Sequence, residues 1–166
     1  MPNHVTNKIV FPSEFSAKVF ALCCPCGKFS FETLIPRPIN VYLGDLSSED
    51  ERDFSNNWHS WNKENWGTKW GAYSQSCGIR DDDKAFIKFD TAWSVPYPVI
   101  AAFANRFKME FIHSYYDEGE CFWGVESWSI KNETAFRKEK RRSIRADLPM
   151  ILKELRIDDR VEESDT

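Results

Sequence analysis

Residues 84–107, KAFIKFDTAWSVPYPVIAAFANRF, change their hydrophobic period once, and that change constrains the fold more than any other feature of the chain. In the first ten residues Ile87 and Phe89 share one face and Phe86 and Lys88 the other, the alternation of a half-buried strand. Ser94, Pro96 and Pro98 then break the strand, and Val99, Ile100, Phe103 and Phe107 return at helical spacing. A strand leading into an amphipathic helix has to be covered by more sheet and more helix, so one such unit already argues for a mixed α/β layer architecture.

The N-terminal stretch carries a second unit of the same kind. Val5, Lys8, Ile9, Val10 and Phe11 form an extended run ended by Pro12. Ser13 stands where an N-cap belongs, and Phe15, Val19, Phe20 and Leu22 recur at helical spacing until Pro25 and Gly27. Phe29, Phe31, Leu34 and Ile35 read as a second strand closed by Pro36 and Pro38. Residues 40–65 are polar and acidic without a sustained period, which predicts a long insertion loop or a short irregular helix. WGTKWGAYSQSC (66–77) turns extended at its end. MEFIHSYY, a turn at DEGE and CFWGVESWSI predict a hairpin over 109–130. This order predicts an α+β, ferredoxin-like fold: an antiparallel sheet with helices on one face. The expected division is a ferredoxin-like domain over 1–131, with the insertion loop 40–65, and a charged helical tail over 132–166. In that tail Asn132 reads as an N-cap, the following polar stretch as a helix, and Asp147 and Pro149 restart a short helix before an acidic end.

Charge is unevenly distributed. RKEKRRSIR (137–145) holds six Arg or Lys against one Glu, a local +5 inside a chain of net −4, which leaves −9 on the rest. Arg137, Lys138, Lys140, Arg141, Arg142 and Arg145 are candidate partner-binding residues. As a helix this segment would have only Phe136 and Ile144 as anchors. It would lie against the acidic 45–53 or 81–83 segments, or serve as an arm for an acidic protein surface or a phosphate backbone.

Aromatic residues make up 15% of the chain, and Trp58, Trp61, Trp66, Trp70, Tyr73 and Trp93 are interleaved with asparagines and Lys69. Such a group is either a small core under the long loop or a platform for a base, a sugar or a partner's side chain. Trp66, Lys69, Trp70 and Tyr73 are its candidate partner-binding members.

Other constellations are weaker. Cys23 and Cys26 make a CxxC, but it follows a predicted helix, where the dipole disfavours a thiolate, and no second pair completes a zinc set. His4, His59 and His113 are scattered, and Asp117, Glu118 and Glu120 sit in a turn, so no catalytic residue, metal site or cofactor is assigned. AFIKF (85–89) matches the end of an RNA-recognition pattern, yet Asp82 and Lys84 replace its basic and aromatic positions. The five cysteines and the lack of a signal or membrane-spanning segment predict a cytoplasmic protein.

The segments PNHVTNKIVF, FSFETLIPRP, NWGTKWGAY, FDTAWSVPYPVI and YYDEGECFWG occur in an order that resembles the YubB-like ferredoxin-fold proteins of bacteriophages and conjugative plasmids, over residues 2–126. WGTKW and TAWSVPYP are the specific part. The resemblance implies a ferredoxin-like fold and a mobile-element origin, and no reaction. The expected function is a non-enzymatic accessory protein that binds and inhibits a host or defence macromolecule, such as a restriction or CRISPR–Cas component. The alternatives are a nucleic-acid-binding module using 137–145 and an enzyme with an unrecognised site.

Overall fold

A computed structural model of the chain describes residues 3–132, 134–142 and 148–155, with 138–142 described by backbone course alone. Its strands are β1 (His4–Pro12), β2 (Tyr73–Ile79), β3 (Lys84–Ala92), β4 (Phe111–Asp117), β5 (Trp123–Lys131) and β6 (Thr134–Arg142). Its helices are α1 (Ser16–Cys23), α2 (Asp50–Asp53), α3 (Trp58–Asn65), α4 (Tyr97–Phe107) and α5 (Leu148–Leu155).

The six strands form one antiparallel sheet in the order β2-β3-β1-β4-β5-β6. The first four reproduce the ferredoxin-like interleaving of two split β-α-β units, because β1 lies between β3 and β4 while β3 lies between β1 and β2. Crossovers of one hand then put α1 and α4 on the same face. That face is the core. Ile9 pairs with Ile87 and Phe11 with Ala85, so β1 and β3 turn matched apolar positions toward the helices. Val19 and Cys23 from α1 and Val99, Ile100, Phe103 and Phe107 from α4 close over them. The helical spacing of α4 and the alternation of β3 are both realised as expected.

Three expectations are corrected. Phe29, Phe31, Leu34 and Ile35 do not form a strand: Phe31–Thr33 is a single 3-10 turn. Their alternation arises because a loop drops Phe29 and Phe31 into the core, their ring centroids 5.0 and 5.7 Å from that of Phe89. Ser13 does not cap α1; it opens a 3-10 turn, and its hydroxyl donates to Asp83 at 2.6 Å. The basic segment is not a helix through 142. Thr134–Arg142 is β6, paired along β5 with a bulge between Ser127 and Trp128. Asn132 takes a left-handed φ of 51° in the turn before it, as asparagine tolerates, instead of capping a helix. β6 thus lies at the opposite edge of the sheet from β2 and the 81–83 turn, so docking on that acidic turn is excluded for the strand itself. It extends the sheet across the boundary expected after residue 131. The helical part of the tail within the described residues is α5; Ile144, Arg145, Asp147 and the acidic end lie outside them.

α5 packs on the sheet face opposite α1 and α4, where Ile151 and Leu155 bury against Tyr116, Trp123 and Val125. Lys8 and Lys88 stand opposite each other on β1 and β3, a like-charge pair that needs compensation. The end of α5 supplies it: Lys8 donates to Glu154 O at 2.7 Å and Lys88 to Leu155 O at 2.5 Å, and the Glu154 carboxylate meets Lys8 at 3.1 Å. Among the described residues no helix is long and apolar enough to cross a membrane.

Candidate functional site: an aromatic and basic surface beside α3

The insertion between α1 and β2 is organised by asparagines. Asn57 caps α3, its side chain accepting from Ser60 N at 2.9 Å. Asn62 is buried, and its backbone carbonyl accepts from both Trp66 N and Gly67 N while its amide donates to Lys69 O at 2.9 Å. One side chain thereby folds the 66–69 turn back against α3. Gly67 sits at φ 77°, and a Cβ there would meet Pro98 Cδ at 3.0 Å, so the turn requires glycine on both counts.

This scaffold separates the aromatic group into two sets. Trp66 is 2% exposed; its indole donates to Ile35 O at 2.9 Å and its ring meets Phe31 and Trp61 edge-on. The Arg37 guanidinium lies 4.9 Å above it. Trp66 is therefore packed in the core and offers little surface to a partner, because the loop needs a large ring to seal its underside.

The other predicted members do come together at the surface. Trp70 is 37% exposed, with Lys69 Nζ 5.1 Å above its ring and the Tyr73 ring 6.3 Å away. Tyr73 shares a 2.7 Å hydrogen bond with His4 Nδ1, and burial, aided by Asp90 and Glu118, pushes its phenol up to about 12. It stays a neutral hydroxyl at any physiological pH.

Beside them lies a feature that the spacing of residues did not announce. Trp93 is 53% exposed and takes a left-handed φ of 70°. A bulky residue in that region is strained by about 1–3 kcal/mol, and the exposed ring recovers little of this through burial. Its backbone is held by Trp93 N donating to Asn3 O at 3.0 Å and by the Thr91 hydroxyl donating to Ser94 O at 2.8 Å. Trp93 walls a cavity of about 420 Å³ shared with His59, Lys63, Thr68, Lys69 and Ser94. His59 Nδ1 lies 3.1 Å from Glu51. Burial, then Lys63, hold His59 below its ordinary value, Glu51 pulling weakly the other way. Sequence reasoning missed His59 and Lys63, although their i,i+4 spacing on α3 is a readable sign that they share a helix face.

The basic strand presents a second surface. Arg137 is already engaged: its Nη1 donates to Glu126 Oε1 at 3.1 Å, and its guanidinium sits 5.7 Å from the Tyr97 ring. Lys138, Lys140, Arg141 and Arg142 continue β6 along the sheet edge, and Arg145 lies outside the described residues. Glu126 and His113 have no exposure, and His113 Nε2 pairs with the Asn7 amide at 3.1 Å. Burial holds His113 below its ordinary value against the pull of Glu126. Both side chains are shut off from solvent, so the pair is a polar brace inside the core.

The sheet face that carries Phe86 is not open either, since Lys8 Nζ stands 5.5 Å over the Phe86 ring and the end of α5 covers both lysines. The cysteines divide by depth. Cys23 and Cys24 are buried, and burial pushes both thiols up, Cys24 to about 12 with Cys77 beside it, while Cys26 and Cys121 are exposed. A thiol-specific reagent near neutral pH is therefore expected to label Cys26 and Cys121 in the folded protein and to reach Cys23 and Cys24 only after unfolding. Peptide mass mapping reads this directly, and early labelling of Cys24 would contradict its burial. Among the described residues no group of three or more His, Cys, Asp or Glu is placed to hold a metal ion.

Comparison with known families matches residues 65–144 to a family described as a ferredoxin-like domain in Api92-like protein. The match runs from the end of α3 through β6, so it includes most of the basic segment, which the resemblance read from sequence had left outside. No curated protein and no solved structure gives a match. The strand order and the family match agree: the chain carries a ferredoxin-like domain.

Proposed function

We propose that the chain is a non-enzymatic accessory protein of a bacteriophage or conjugative plasmid that acts in the host cytoplasm. It binds and inhibits a host or defence macromolecule, for example a protein of a restriction or CRISPR–Cas system. The observation that carries this reading is the form of the basic segment. An edge strand has one row of backbone N–H and C=O groups without a neighbouring strand, and among the described residues β6 is such a strand. Lys138, Lys140, Arg141 and Arg142 add cationic character to it, in a chain whose net charge is −4. Backbone pairing plus positive charge suits an acidic, extended segment of a partner protein. Positive charge on an edge also guards against self-association, so the two roles have to be separated by experiment.

Changing Arg141, Arg142 and Arg145 to Glu leaves the Arg137–Glu126 pair in place. The partner role predicts an unchanged melting temperature with binding to a purified target weakened at least about tenfold, and binding by the parent that declines steeply with salt. A variant that keeps full binding removes the edge strand from the interface. A nucleic-acid-binding reading stands second: besides the 137–145 segment on which it was first read, Lys63 and Lys69 stand among the exposed rings of Trp70 and Trp93.

A further inference from the structure

We propose that the cavity beside Trp93 is a binding site for a nucleoside phosphate, the ring stacking on Trp93 and the phosphate held by Lys63 and Lys69. This goes beyond the edge-strand reading, because it names a different surface and a different ligand.

Three observations lead to that chemistry. The first is the strained and half-exposed Trp93, a flat apolar face kept at the surface in a backbone conformation that tryptophan rarely adopts. The second is the polar lining. The Ser94 hydroxyl donates to Gly67 O at 2.5 Å and the Thr68 hydroxyl to Trp70 O at 2.6 Å, so the donors left facing the cavity belong to Lys63, Lys69 and His59. Among the described residues no carboxylate pairs with Lys63 or Lys69, and Glu51 pairs with His59 alone. Two ammonium groups without a carboxylate favour an anion, and α3, which carries Lys63, and the 66–69 turn, which carries Lys69, bring both to the cavity that Trp93 walls. The third is size: about 420 Å³ falls among small-molecule sites, which run roughly 300–1,000 Å³. A sugar would lack a use for the two cations, and a carboxylate side chain would leave the ring without a partner. A heteroaromatic ring joined to a phosphate uses both.

The site is compact. The turn at Asp117–Glu120 carries three carboxylates close to His4, and Glu118 bonds His4 N at 2.7 Å. That negative charge stands at the same end of the sheet between Trp93 and the end of β6, so the two basic regions do not form a continuous phosphate track. One or two nucleotides suffice to fill the Trp93 site, either free or as part of a single strand.

Two probes distinguish those sources: adenosine monophosphate by equilibrium dialysis, and a labelled eight-residue oligothymidylate by fluorescence anisotropy, each at low salt with the full chain. Trp93→Gly relieves the strained φ while removing the ring, so it is expected to melt at the same temperature as the parent or higher and to bind about tenfold or more weakly. Lys63→Gln with Lys69→Gln is expected to weaken binding and to lower the salt slope by roughly 0.7, the share of one neutralised phosphate on a single strand. Binding of both probes, with the monophosphate displacing the oligomer, assigns the site to the nucleotide unit itself. Binding of the oligomer alone assigns it to a strand. If neither probe binds, or if both variants bind as the parent does, the proposal is wrong. Binding that survives Trp93→Gly but is lost on changing Arg141, Arg142 and Arg145 to Glu belongs to the edge strand; it overturns this site and leaves the surface of the previous section standing.

Discussion

Replacing Phe89 with alanine is expected to lower the unfolding free energy by about 3–5 kcal/mol, the cost of emptying a large site that the surroundings refill poorly. Phe89 has no exposure, stands opposite Asn7 at the middle of the sheet, and touches Phe29 and Phe31 from the 24–35 loop. Both loop rings pack on Phe89, so the cavity also loosens that loop. In a chain of this size each kcal/mol moves the midpoint by about 2–4 °C, which makes the loss easy to see in a thermal melt. Phe86 on the opposite face serves as the control, because it is only partly buried and its truncation removes far less packing. A Phe89→Ala variant melting within a degree or two of the parent would mean that β3 does not turn this face inward.

What was legible in the sequence follows from how local each signal is. The period change between β3 and α4 is contained within neighbouring residues, and so is the β4–β5 hairpin with Glu118-Gly119 at its turn. The ferredoxin-like class followed from these together with the N-terminal strand and helix, although the order read from sequence also counted a strand at Phe29–Ile35 that does not form. The misread strand at Phe29–Ile35 came from an alternation with another cause: two aromatic rings delivered to the core by an irregular loop look like every second residue of a strand. β6 was hidden because Arg, Lys and Glu are good helix formers, and Asn132 serves equally as a cap or in a left-handed turn. The edge of β5 decided between them, and pairing with a strand is invisible to a local pattern. The same limit applies to the site. Lys69, Trp70 and Tyr73 are close in sequence and do lie together, whereas Trp66 was drawn into that group by composition alone. His59, Lys63 and Trp93 converge only because Asn62 folds the 66–69 turn over α3. The left-handed backbone of Trp93 has no signature in its residue type, since nothing about tryptophan invites it.

Replacing Arg137 with methionine is expected to cost about 2–3 kcal/mol near neutral pH and much less in acid. Methionine keeps an apolar stem over Tyr97, so the loss reports on charge. The estimate is held low because the Arg137 side chain is 39% exposed and water screens part of the pair. Burial on its own would push Glu126 up, but His113 and Arg137 outweigh it and hold the carboxyl below its ordinary 4.5. A depressed carboxyl contributes stability that is present above the unfolded value and lost as pH falls through the folded one. His113 adds to the same trend. Burial holds it below its ordinary 6.5, so the unfolded chain takes the proton first and stability begins to fall as pH drops below about 6.5. The parent is therefore expected to lose stability steadily from neutral toward pH 4. Without the guanidinium one of the two pulls that oppose burial is lost and Glu126 rises, so less of its stabilising contribution is present above the unfolded value. The gap between parent and Arg137→Met is thus widest near neutrality and closes toward pH 4. Adding Glu126→Gln isolates the pair, because an amide has no charge to strand, and Arg137→Met in that background is expected to cost little at any pH. Urea denaturation of the four proteins at pH 7 and pH 4 measures the cycle. A penalty of equal size at both pH values, or two single losses that simply add, would mean that Arg137 acts by packing over Tyr97 and that the buried carboxylate is held by other groups.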